Sequence, residues 1–208
     1  MPKPLIVDHP LVHANFTKLR DRNTRPHEFR TLVRNLTTLL LYEAFREAAT
    51  QEVKVQTPLA EAPGRILSKE ISLVSILRAG LGMMDGFLDL LPFSSVGYIG
   101  LARNEDTLQP ESYYCKLPER IASTQVALVD PMLATGGSAV AAVEVLEQAG
   151  VEDITFIGLL AAPEGLEKLT SCKPRVRVIL GAIDDRLDSR GYIVPGLGDA
   201  GDRLFGTE

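Results

Sequence analysis

The chain contains no tryptophan, and only two cysteines and three histidines in 208 residues. Cys115 and Cys172 stand far apart and match neither a metal-ligand nor a redox spacing, which excludes a disulfide framework and leaves both as ordinary thiols of a reducing compartment. His9, His13 and His27 all lie near the N-terminus, away from any nucleophile or ligand set, so hydrolysis by a histidine-activated nucleophile has no support. Basic residues are also scarce: 22 Lys and Arg against 27 Asp and Glu give a net charge of −5. Nothing in that balance attracts nucleic acid or an anionic lipid surface, so any polyanionic ligand must be met by isolated arginines. No apolar run approaches the roughly 18 residues a membrane span needs. The opening MPKPLIVDHP lacks the apolar core of a signal peptide, and a cytoplasmic protein is expected.

What the chain does have is a repeated alternation of patterns. Phe29, Leu32, Val33, Leu36, Leu39, Leu40 and Phe45 fall near helical spacing and predict a long amphipathic helix from Glu28 to about Ala49. Residues 1–27 before it read as an arm with one short helix, of a kind that packs on a partner subunit. Five continuous apolar runs follow: Ile71–Leu77, Val96–Ala102, Val126–Asp130, Ile154–Ala162 and Val176–Asp184. Continuous runs are how strands buried on both faces look. Helix-like segments at Gly82–Leu91, Gly137–Ala149 and Glu164–Leu169 alternate with them, which predicts an α/β domain with a central, mainly parallel five-stranded sheet flanked by helices. Residues 103–119 are polar and contain Pro110 and Pro118, and are expected to form a loop or hairpin over the site. Residues 185–208 are rich in glycine and lack the pattern of packed elements.

Ligands of such sheets bind beyond the C-terminal strand ends. There the runs deliver Arg78-Ala79-Gly80, Arg103, Asp130 and Asp184-Asp185-Arg186, while the fourth run leads into a chemically quiet Ala162-Pro163-Glu164-Gly165. Asp130 is followed by Pro131-Met132-Leu133-Ala134-Thr135-Gly136-Gly137-Ser138, a small-residue loop opening a helix. Backbone N–H groups, the positive helix end and the Thr135 and Ser138 hydroxyls would converge there on a phosphate monoester. No G-x-x-x-x-G-K-[ST] motif occurs, which excludes a nucleoside triphosphatase loop. Asp130, just ahead of the cradle, is placed to accept hydrogen bonds from the vicinal hydroxyls of a ribose 5′-phosphate. Arg78 and Arg103 suit two-pronged contacts to phosphate. Gly196-Leu197-Gly198-Asp199-Ala200-Gly201 formally matches a dinucleotide fingerprint but leaves no room for the helix and strand that motif needs. A glycine-rich loop with exposed backbone groups suits the edge of a small planar base instead.

The segments SILRAG, VDPMLATGGS and GYIVPGLGDAGDRLFGT together resemble the uracil branch of the type I phosphoribosyltransferases, and the likeness covers essentially the whole chain. The resemblance implies transfer of 5-phosphoribose from phosphoribosyl diphosphate (PRPP) to N1 of uracil, giving UMP and diphosphate. It implies that Arg78 and Arg103 hold diphosphate, that Asp130 to Ser138 hold ribose and 5′-phosphate, that residues 185–208 form a small C-terminal hood, and that Ile193, Gly198, Asp199 and Ala200 within it hold uracil, largely through backbone groups. Asp199 also lies near the donor in this family, so Asp130, Arg103 and Asp199 are the implied catalytic residues. Mg²⁺ is the implied cofactor, carried by oxygens of PRPP with no direct protein ligand. Many type I relatives have two adjacent acids where this chain has Asp130-Pro131, and the uracil branch shares that departure.

The resemblance further implies a homodimer or higher homo-oligomer, and in some bacterial members a response to GTP, for which no effector site is legible. Two rivals stay open at this point: a transferase for orotate or a purine, and a nucleotide-sensing regulator that binds RNA. The acidic balance and the missing Lys/Arg face count against the regulator.

Overall fold

The computed structural model describes residues 3–103 and 110–207; residues 104–109 of the expected loop, and the side chains of Arg103 and Pro110, lie outside the described residues. In chain order the strands are β1 (Leu5–Ile6), β2 (Thr50–Gln56), β3 (Glu61–Leu67), β4 (Ile71–Leu77), β5 (Val96–Arg103), β6 (Pro110–Lys116), β7 (Gln125–Val129), β8 (Met132–Leu133), β9 (Ile154–Ala161), β10 (Arg177–Ile183), β11 (Arg186–Leu187) and β12 (Ile193–Val194). The α-helices are α1 (Pro10–Arg20), α2 (Pro26–Ala44), α3 (Met84–Leu90), α4 (Gly137–Gln148), α5 (Pro163–Cys172) and α6 (Ala200–Phe205), and a 3₁₀ turn covers Ala79–Met83.

The main sheet runs β1-β10-β9-β7-β4-β5-β6, with β8 also paired to β9. Its five long central strands are the five apolar runs, and all pair in parallel. The runs look continuous because each strand feeds two cores. Leu73, Ala127, Val129, Ile157 and Leu159 face α1, α2 and α3. Val74, Val126, Leu128 and Phe156 face α4 and α5 on the other side. Among the described residues no helix is long and apolar enough to cross a membrane.

Three features add to the sequence reading. The 103–119 segment folds back as β6, antiparallel to β5 with Ile99 opposite Cys115, so its second half is a hairpin arm and part of the sheet edge. Proline is tolerated there because Pro110 is the first residue of an edge strand. The N-terminal arm packs on its own chain: Val12, Phe16 and Leu19 of α1 are buried in the α2 side of the core. A further element is a ribbon that the polar alternation of TQEVKVQ hides, β2 paired antiparallel with β3 and exposed along nearly its whole length.

Helix α2 begins with proline at its start and with the Glu28 carboxylate accepting from the Arg25 backbone N–H at 3.2 Å. It stops at Ala44, earlier than the periodicity suggests, where the chain turns toward the ribbon. These elements leave the C-terminal ends of β4, β5, β7, β9 and β10 on one edge, and the loops above that edge carry the residues expected to form the site.

Candidate active site

Three chain segments meet above the sheet edge. The first leaves β4 at Arg78 and winds through the 3₁₀ turn. Gly80 lets this loop sit down on its neighbours, since a Cβ there would stand 2.6 Å from Ser75 Oγ and 2.8 Å from the Val129 carbonyl oxygen. Arg78 is exposed and has no salt-bridge partner among the described residues, so its guanidinium is available to an anionic ligand.

The second segment leaves β7 at Asp130. Its path is more ordered than a loop: the Pro131 carbonyl accepts from the backbone N–H groups of Leu159 and Leu160, and β8 then pairs with β9. This stitching fixes Asp130 against the sheet. The carboxyl is half-buried and accepts a long hydrogen bond, 3.4 Å, from the Met132 backbone N–H. Burial outweighs that bond and pushes the Asp130 carboxyl up to about 7.

Beyond Leu133 the chain enters the Ala134–Ser138 turn and α4. Gly136 caps α4 in the left-handed region, with φ of 76°, where a side chain would also meet the Gly165 carbonyl at 2.7 Å. The segment expected to be quiet, Ala162 to Gly165, is what backs this turn: the Ala162 N–H donates to the Leu133 carbonyl, and a Cβ on Gly165 would stand 2.2 Å from the Ala134 carbonyl oxygen. Only glycine permits such an approach of α5 to the turn. Gly136 thus caps α4, which begins at Gly137 and whose first N–H groups have no partner within the helix.

The third segment is the tail. Strands β11 and β12 form a small antiparallel ribbon whose turn at Gly191 reaches the Thr135 methyl. Past a tight bend at Pro195-Gly196, Asp199 caps α6 by accepting from the Asp202 N–H at 2.9 Å. Leu204 of α6 packs so closely on Gly82 that a Cβ there would be 2.6 Å from it, which seats the tail on the Arg78 loop. Ile193 and Ala200 are buried in the core, whereas Gly198 is exposed.

The structure thus brings together Arg78, Asp130 to Ser138, and Ile193 to Ala200, and Arg103 ends the neighbouring β5. A model of uracil phosphoribosyltransferases matches residues 6–207. The chain belongs to the uracil phosphoribosyltransferase family.

Members of the family are similar throughout their length. The uracil phosphoribosyltransferase of Dictyoglomus thermophilum is 55% identical over 98% of this chain and 99% of its own. That of Geobacillus kaustophilus is 47% identical over the full length of both. A solved structure of an Aquifex aeolicus protein superposes with a TM-score of 0.94 at 35% identity, covering 99% of each chain. The adenine phosphoribosyltransferase of Thermoanaerobacter pseudethanolicus, 15% identical with a TM-score of 0.50 over 74% of this chain and 85% of its own, shares the fold alone.

Sequence reasoning about this uracil phosphoribosyltransferase fold missed two arginines that shape the tail. Arg203 donates to the carbonyls of Leu19 and Leu197 at 2.7 and 2.8 Å and lies over the Phe29 ring. Arg20, in the arm, forms a two-pronged pair with Asp184 at 2.6 and 2.7 Å. The one signal was Asp184 itself, at a strand end.

Proposed function

We propose that this member of the uracil phosphoribosyltransferase family makes UMP and diphosphate from uracil and PRPP, in pyrimidine salvage, using the three converging segments as donor and base sites. The bond between C1 and the diphosphate oxygen breaks, the bond from C1 to N1 of uracil forms, and the N1 proton passes to solvent. The observation that carries the reading is family membership over residues 6–207 combined with the meeting of the Arg78 loop, the Asp130–Ser138 turn and the 193–200 tail at one sheet edge.

In this reading Ala134 to Ser138 cradle the 5′-phosphate at the start of α4, and Arg78 and Arg103 hold the diphosphate. Asp130 accepts from the ribose hydroxyls and steadies the sugar as positive charge builds on C1. Neither a covalent nucleophile nor a histidine base is called on; catalysis is positioning plus electrostatics. Uracil is read by backbone groups of Ile193, Gly198, Asp199 and Ala200, with the Asp199 carboxylate kept in place by capping α6.

The chemistry of the donor set bears on Mg²⁺. The ion prefers six oxygen ligands and keeps several waters, whereas Asp130 beside Pro131 supplies a single half-buried carboxyl. A single carboxyl is too few for a protein-built site, so these residues fit an ion that takes its ligands from PRPP and water. When bound, it supplies neutralising charge for the departing diphosphate.

The protein works as a homodimer or higher homo-oligomer in the cytoplasm. The exposed β2–β3 ribbon supports self-association: two-stranded ribbons are marginal alone, and Val55, Leu59 and Ile66 give it an apolar surface that a second copy would cover. Response to GTP is assayed by adding the nucleotide to the reaction.

The test is product formation with uracil, orotate or hypoxanthine as the acceptor, with and without Mg²⁺. UMP from uracil alone, lost on removing Mg²⁺, is expected. Equal or faster use of orotate or hypoxanthine would overturn the base assignment, and full activity in chelator would overturn the assignment of Mg²⁺.

A further inference from the structure

The Arg20–Asp184 pair does something besides joining two distant parts of the chain. Asp184 directly follows β10 on the same sheet edge as Asp130, and its side chain is 7% exposed. One carboxylate oxygen, Oδ2, accepts both from Arg20 at 2.6 Å and from the backbone N–H of Gly196 at 2.7 Å. The same guanidinium nitrogen of Arg20 donates to the Gly196 carbonyl at 2.8 Å. Both polar backbone groups of Gly196 are therefore held by one largely buried ion pair.

Gly196 is the hinge of the tail. It is in the left-handed region at φ of 67°, and a Cβ there would lie 2.0 Å from the Ile193 carbonyl oxygen, so no other residue fits. The next carbonyl, Leu197, is held by Arg203, which also grips the Leu19 and Asp21 carbonyls at the end of α1. The tail beyond, from Gly198 to Ala200, is thus referenced to the N-terminal arm as well as to the sheet.

A buried ion pair is weak evidence for stability, because apolar residues of similar volume often serve as well. What apolar residues cannot supply is direction: a donor aimed at one carbonyl and an acceptor aimed at one N–H. Reading a base through backbone groups demands that direction, since small misplacement of a positioning group is costly.

We propose that Arg20 and Asp184 are positioning residues for uracil, clamping Gly196 so that the 198–200 backbone presents its groups to the base. The clamp acts on the 198–200 backbone and makes no contact with the Arg78 loop or the Asp130–Ser138 turn. This inference rests on the reading of 193–200 as the base-binding segment.

The experiment compares Asp184→Asn and Arg20→Lys with the parent enzyme in KM for uracil, KM for PRPP, kcat, melting temperature and hydrogen exchange of the backbone at residues 196–198. Asp184→Asn keeps an acceptor for Gly196 but loses the charge on the carboxylate that faces the arginine. Arg20→Lys keeps the charge but loses the fork. We expect the KM for uracil to rise by about tenfold or more in Asp184→Asn, as for loss of a charged hydrogen bond. Arg20→Lys should rise less, with PRPP KM moving less than uracil KM and exchange at 196–198 accelerating. If exchange and uracil KM both stay at parent values, the clamp does not hold the loop and the proposal is overturned, with the base-site reading untouched. Faster exchange with unchanged uracil KM overturns both. A parallel loss in both substrates' KM values and in melting temperature means a general structural role, which also overturns it.

Discussion

Asp130→Asn should make the protein more stable and nearly inactive, and the gain in stability should depend on pH in a specified way. Burial raises the Asp130 carboxyl from 3.8 to about 7. For an acid this direction means that the folded state keeps its proton to higher pH than the unfolded state, so stability is intact below about pH 4 and is lost as pH rises toward 7. At about 1.36 kcal/mol for each pH unit between those two values, the cost at alkaline pH is about 4 kcal/mol. Solvent access to the half-buried carboxyl trims this to about 2–4 kcal/mol. An asparagine at 130 is the same size, can still accept from the Met132 N–H, and bears no charge to desolvate. Urea unfolding of both proteins at equal concentration from pH 4 to pH 9 provides the assay. The variant's advantage should be near zero at pH 4, climb through pH 5 and 6, and level off above pH 7. An advantage that is flat with pH, or that shrinks as pH rises, would refute the claim that Asp130 sits desolvated in the free enzyme.

The same carboxyl predicts the pH dependence of donor binding. If PRPP needs the ionised form, binding at pH 6 should release a proton from Asp130, giving a buffer-dependent calorimetric heat that Asp130→Asn lacks. Arg78→Gln should raise the KM for PRPP and weaken product inhibition by diphosphate, each about tenfold or more, while uracil KM stays near its parent value. Gly165→Ala places a methyl against the Ala134 carbonyl, where backbone meets backbone, and should cost about 1–3 kcal/mol. It should also raise PRPP KM with uracil KM unchanged, which steady-state kinetics and a melting curve together would check.

How far the sequence revealed the molecule follows from the range of each interaction. The central strands were legible because β4, β7 and β9 are covered on both faces, so nearly every residue in them is apolar. Asp130 and the Thr135–Ser138 turn were legible because strand, turn and helix start are contiguous. Strand β8 was not, since Met132-Leu133 pairs with β9 across an intervening helix and its pairing leaves no local pattern.

The supporting role of Gly165 was hidden for the same reason, as nothing near it in sequence announces the Ala134 carbonyl. Arg20 and Asp184 lie 164 positions apart, and the polar arm that carries Arg20 reads as a surface for a partner although α1 packs on its own core. Sequence motifs recorded the groups expected to touch the substrates. The groups that aim them are distant in the chain and became visible only in the fold.

The most direct test of the account is UMP formation from uracil and PRPP with Mg²⁺ by the wild-type protein and Asp130→Asn side by side, each shown folded by its melting curve. The account predicts turnover by the wild type and a loss of about 10²–10³ in rate for the variant, as for removal of one preorganised transition-state contact. A variant that folds and turns over uracil at the wild-type rate would contradict it.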